Sequence, residues 1–144
     1  MKLTDLPEEK IFNTLTEESY VANTDGIKIS VTPTFVSGSS GIYVWSYHVT
    51  ITNNGNKAIT LLSRYWKIID GTGIIQEVRG EGVIGEQPTI APNTSFDYSS
   101  GVHLAYPSGI MVGYYKMQTA DNELHEIRIP AFSLDVPDPK KVIN

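Results

Sequence analysis

From residue 20 onward, apolar side chains recur at every second position, and that period constrains the chain more than any other feature. Side chains along a strand alternate between faces, so this pattern buries a face only if the backbone is extended. IKISV places Ile27, Ile29 and Val31 on one face and Lys28 and Ser30 on the other. YVWSYHVTI does the same with Trp45, Tyr47, Val49 and Ile51 against Ser46, His48 and Thr50. AITLLSRYWKIID, GIIQEV, TSFDYSSGVHL, GIMVGYYKMQ and LHEIRIPAFSL supply further strands. Turn-forming clusters at Asn53 to Lys57, Asp70 to Gly73 and Thr119 to Asn122 separate several of them. A parallel sheet needs crossover helices, and no amphipathic helix lies between these segments. The pattern predicts an all-β, antiparallel sandwich of about seven or more strands.

Residues 1–19 lie outside the period. They carry Asp5, Glu8, Glu9, Glu17 and Glu18 with few large apolar groups, and read as a flexible acidic lead-in. A short helix over LPEEKIFNTL is the alternative there. Residues 20–136 form the domain, and 137–144 read as a loose tail rich in proline and charge. With 144 residues, 40% of them hydrophobic, one well-filled core is expected. The net charge of −5 and only three arginines argue against a nucleic-acid partner. No cysteine is present, so disulfides, thiolate metal sites and cysteine nucleophiles are excluded together. The first residues lack the apolar run of a secretory signal, and no stretch approaches a membrane span. A soluble, cytoplasmic protein without membrane insertion is the expectation.

The stretch EVRGEGVIGEQP contains Gly80, Gly82 and Gly85 in the spacing G-x-G-x-x-G. In a dinucleotide site the last glycine opens a helix whose amino end faces the pyrophosphate. Here Pro88 and Pro92 follow four residues apart, which opposes a helix. Glu77, Glu81 and Glu86 outnumber Arg79, and no carboxylate stands where a ribose-binding acid belongs. The favoured reading is turn or bulge chemistry. The alternative makes Gly80, Gly82, Gly85 and Arg79 candidates for anion binding.

Other constellations are sparse. His48, His103 and His125 fall on three separate predicted strands without ligand spacing, so no metal site is expected. His48 reads as exposed, and His125, in phase with Ile127 and Ile129, as partly buried and hydrogen-bonded. Asp121, Glu123 and Glu126 read as a solvated hairpin rather than a calcium loop. There is no G-x-S-x-G, and Ser99 and Ser100 have no histidine at a telling spacing, although a distant one could join them in three dimensions. No catalytic residue is assigned. Arg64 shares its phase with Leu62, Trp66 and Ile68, placing a cation in an apolar row. Such a guanidinium must be paired, and Glu77 or another carboxylate of the neighbouring strand is the expected partner. Alternatively Arg64 and Trp66 lie exposed and anchor a protein partner.

Five segments, LLSRYW, EVRGEGVIGEQP, FDYSSG, SGIMVGYYKM and IPAFSL, together resemble the ApaG family, in family order over roughly residues 20 to 136. The resemblance implies an immunoglobulin- or fibronectin-III-like sandwich with no cofactor and no established activity. It also implies a link to cobalt resistance and magnesium efflux, and recognition of partners where the domain recurs in larger eukaryotic proteins. The glycine motif is a family feature for which a pyrophosphate has been suggested. Tyr65 departs from the histidine of the family's SRHW, and His125 stands where an aromatic is usual. The function expected is a non-enzymatic binding module that takes an unidentified protein partner on a sheet edge or loop surface. The same edge could pair two copies as a homodimer. The alternatives are a phosphate or nucleotide binder using the glycine turn and a divalent-metal binder.

Overall fold

The alternating stretches are strands, and IKISV and YVWSYHVTI bury the faces that their patterns assign. The computed structural model describes residues 18–137, so the acidic lead-in as far as residue 17 and the tail from residue 138 lie outside it. Nine strands follow in order: β1 (Tyr20–Thr24), β2 (Ile27–Ser39), β3 (Ile42–Asn53), β4 (Ile59–Asp70), β5 (Ile75–Glu81), β6 (Thr89–Ile90), β7 (Ser95–Leu104), β8 (Ser108–Thr119) and β9 (Leu124–Asp135). No helix occurs among the described residues. Antiparallel pairing joins β1-β2-β3-β7 into one sheet and β5-β4-β8-β9 into another, with the short β6 also on β4.

The two inner faces make one core. Ile29, Val31, Val49 and Ile51 come from the first sheet, and Leu61, Met111, Tyr115, Met117, Ile127 and Leu134 from the second. Tyr47, Trp66 and Phe132 meet at its centre, with ring centroids 5.4 to 5.9 Å apart. Trp66 meets Tyr47 and Phe132 edge to face, the arrangement that ring quadrupoles favour. The phase expected for β4 needs one correction. A bulge between Leu61 and Ser63 inserts Leu62 as an extra residue, so Leu61 takes the core position and Leu62 is only partly covered. That break lets Leu61 and Trp66 face inward although they are five residues apart.

The two long sides of the sandwich differ. Where β1 meets β9, Tyr20 Oη and Ser133 Oγ lie 3.2 Å apart, and the Arg128 amide donates to Thr24 Oγ1 at 3.3 Å. The opposite side, between β5 and β7, carries a cleft instead.

Candidate functional site

That cleft is built around Arg64. Its register partners on the flanking strands are Gly80 and Tyr115, so the guanidinium points inward at the open side of the sandwich. Nη1 donates to the Glu81 carbonyl at 3.0 Å and the Gly82 carbonyl at 2.8 Å. The expected pairing with Glu77 is not what forms. Alternation sends Glu77, Arg79 and Glu81 to the outer face, where Glu77 accepts from Tyr65 Oη at 2.9 Å and Arg79 Nη2 at 3.5 Å. Among the described residues no carboxylate lies within ion-pair distance of Arg64. Trp66 is 2% exposed and belongs to the core, so it offers no face to a partner.

The three motif glycines answer three different backbone needs. A Cβ on Gly80 would lie 2.8 Å from the Arg64 guanidinium carbon, so its missing side chain is what admits the guanidinium. Gly82 has φ +61°, and a Cβ there would meet the Glu86 carbonyl oxygen at 2.1 Å. Val83 and Glu86 exchange amide–carbonyl bonds at 2.8 and 2.9 Å across Ile84 (φ 44°) and Gly85 (φ 77°), a two-residue hairpin turn with both central φ positive. No helix opens at Glu86. The amides of Gly82, Val83 and Glu86 are all engaged by carbonyls, which removes them from any anion cradle. Arg79 stands on the outer face and does not line the cleft between β5 and β7, so the four candidates do not converge on one point.

The cleft encloses ≈ 310 Å³ and is lined by Tyr47, Arg64, Glu81, Val83, Ile84, Gly85, Tyr98 and Ser100. Tyr98 Oη and Tyr115 Oη are 2.5 Å apart behind it. Burial raises the hydroxyl pKa of Tyr47, Tyr98 and Tyr115, and for Tyr47 a hydrogen bond with Ser100 and the Arg64 charge offset part of the rise. All three rings therefore stay neutral at physiological pH and act as hydrogen-bonding groups, not as bases. Tyr47, Tyr98 and Ser100 escaped sequence reasoning because nothing in their alternation separates a cleft wall from ordinary core.

The outer face of the second sheet holds a different assembly. Register places Arg79, Tyr65, Tyr114 and Arg128 in one row across β5, β4, β8 and β9. The two tyrosine rings lie 5.0 Å apart, and the Arg79 guanidinium sits 4.4 Å from the Tyr65 ring centre. Ile75, Ile69 and Ile110 form an apolar row nearby. A shallow cleft of ≈ 340 Å³ among Ser63, Arg64, Tyr65, Arg79, Gly80, Glu81, Tyr114 and Lys116 opens onto this face.

The histidines lie apart. His48 is exposed, as expected, with Nδ1 2.7 Å from Ser99 Oγ and Nε2 3.2 Å from Asp97 Oδ2. Folding thus gathers a serine, a histidine and an aspartate that their spacing did not connect. They occupy the outer face of the first sheet, where Ser99 is the direct cross-strand partner of His48. His48 is 46% and Asp97 65% exposed, and these residues line neither cleft described above. His125 is partly covered and hydrogen-bonded, with Nδ1 2.9 Å from Asp25 and Nε2 2.8 Å from Glu123. Among the described residues no group of three or more His, Asp or Glu could hold a metal ion.

Comparison with known proteins agrees with this architecture. The ApaG domain model matches residues 34–119. A protein named ApaG from Parvibaculum lavamentivorans is 50% identical over 129 residues, 87% of this chain and 99% of that protein. Another, from Brucella anthropi, is 49% identical with the same coverage. A crystal structure of a Bordetella pertussis protein described as ApaA is 41% identical and superposes with a TM-score of 0.74, covering 77% of this chain and 94% of that one. This chain belongs to the ApaG family.

Proposed function

We propose that this chain is a non-enzymatic binding module that takes a protein partner on the outer face of β5-β4-β8-β9 and along the free edge of β5. The observation that carries the reading is the row Arg79–Tyr65–Tyr114–Arg128 beside Ile75, Ile69 and Ile110. Tyrosine and arginine are enriched in binding hot spots, the tyrosine ring covering a large area at low rotamer cost and the guanidinium presenting a planar fork of donors. Ile75 and Ile110 are 52% and 46% exposed, so apolar area is on offer beside them. β5 ends its sheet, and its outer edge has backbone groups that an added strand would pair. Lys67, Lys116, Arg79 and Arg128 share this face with Glu77, Glu81 and Glu126, and such interspersed charge suits a protein surface better than a phosphate backbone.

The support for a non-enzymatic role is the setting of Ser99, His48 and Asp97. Ser99, His48 and Asp97 lie on an open sheet face and line neither of the two clefts, which leaves a substrate there in contact with bulk water. A role in magnesium or cobalt homeostasis would act through the bound partner.

The test is capture by the full-length chain, compared with a Tyr65→Ala/Arg79→Glu double variant and an Ile75→Lys variant. All three should unfold at similar temperatures, and the variants should lose the partner that the wild type retains. Equal capture by all three would overturn the surface assigned here. Light scattering of the chain alone separates a different partner from a second copy, since β5-to-β5 pairing would double the mass and Ile75→Lys would halve it again.

A further inference from the structure

We infer that the cleft between the Val83–Glu86 hairpin and β7 is a binding site for a small monocarboxylate, held by the guanidinium of Arg64. This goes beyond the partner surface on the outer face, whose shallow cleft Arg64 also borders.

Three observations converge. Arg64 is fixed in place, because Nη1 is tied to the carbonyls of Glu81 and Gly82 and because Gly80 makes room for the guanidinium. Its charge is met only by these neutral carbonyls, and among the described residues no hydrogen bond takes up Nε or Nη2. A half-buried guanidinium with a planar edge open recognises a carboxylate through two parallel N–H···O bonds.

The lining selects the rest of the ligand. Tyr47, Tyr98 and Ser100 bring hydroxyls to the polar wall, and Val83 and Ile84 provide an apolar one. The ≈ 310 Å³ enclosed sits at the small end of the range for ligand pockets, roughly 300–1,000 Å³. One cation matches one negative charge. A phosphate dianion or a pyrophosphate would bring more charge than Arg64 alone offsets, with Arg79 and Lys116 turned to the outer face and the amides of Gly82, Val83 and Glu86 already bonded. A short acid with a hydrocarbon body, free or at the end of a peptide, fits both the charge and the walls.

The experiment titrates the ¹⁵N-labelled full-length chain with butyrate, butyramide, inorganic phosphate and pyrophosphate. It is repeated with acetyl-Gly-Val as the free acid and as the amide. Butyrate should give saturable shifts at the amides of Gly82, Ile84, Gly85 and Ser100 and at Arg64 Nε, and butyramide none. Arg64→Lys, which keeps the charge but loses the planar fork, should weaken binding tenfold or more. Ser100→Val replaces a lining hydroxyl with apolar bulk at a partly covered strand position. It should abolish the shifts while the remaining amide spectrum shows the fold intact, so the inference stays testable if Arg64→Lys fails to fold. Response to the peptide acid but not to butyrate would locate the carboxylate on a chain terminus, and response to both would indicate free acids as well. Equal response to acid and amide would overturn the assignment. So would tighter binding of phosphate or pyrophosphate, or a folded wild type with no saturable response to either acid.

Discussion

A methyl group added at Gly82 would overlap the Glu86 carbonyl, and neither backbone can yield without opening the hairpin. Gly82→Ala is therefore expected to cost about 3–5 kcal/mol, combining left-handed strain with overpacking. Gly85→Ala meets nothing within 4 Å and carries only the strain of φ +77°, so about 1–2 kcal/mol is expected. Gly80→Ala should fall between or below these values, because the displaced group is the end of the Arg64 side chain and not backbone, and its mark should be a shifted Arg64 Nε resonance. Denaturant unfolding of the three variants checks the order, and equal costs would refute the division of roles. The turn chemistry of these glycines was legible from Pro88, Pro92 and the surrounding carboxylates. Gly80's role was not, since the guanidinium that needs its space is sixteen residues away in sequence and adjacent only across the β4–β5 ladder.

At the scale of elements, Asn53 ends β3 and joins three segments from a fully buried position. Its Nδ2 donates to the carbonyls of Lys57 at 2.8 Å and Ile90 at 2.9 Å, and its Oδ1 accepts from the Gly55 amide at 2.9 Å. Asn53→Ala would leave the buried Ile90 carbonyl and the part-buried Lys57 carbonyl and Gly55 amide without partners, at an expected cost of about 2–4 kcal/mol in thermal or denaturant unfolding. Asn53→Asp should be no better, because a carboxylate cannot donate to the two carbonyls. The β3–β7 pair carries a second prediction. If Ser99, His48 and Asp97 are surface hydrogen bonding only, the wild type will hydrolyse p-nitrophenyl butyrate no faster than Ser99→Ala. Saturable turnover lost in that variant would overturn the non-enzymatic reading. Neither arrangement was legible beforehand: Asn53 read as one of several turn residues, and the triad arises from strand register alone.

Across the whole molecule, His125 bridges the ends of the two sheets. It reaches Asp25 in the β1–β2 turn and Glu123 in the β8–β9 turn, and both carboxylates raise its pKa above the usual 6.5, Asp25 most strongly. Because the folded value is the higher one, the contribution is fully present below about pH 6.5 and fades as pH rises through the folded pKa. His125→Gln should thus lower the melting temperature most near pH 6, by an amount consistent with about 1 kcal/mol for partly exposed pairs, and least near pH 9. A gap that widens with pH would refute the clasp.

The strands, most of their turns and the inward faces of β2 and β3 follow from a period of two, because that period expresses local backbone geometry and burial. What only the tertiary structure decided is which strand ends meet and which edge stays open. It also decided that Arg64 pairs with carbonyls, while Glu77 turns away with the outer face. Those outcomes depend on a one-residue bulge at Leu62 and on ladder register, and contacts between distant segments leave no periodic trace in the chain.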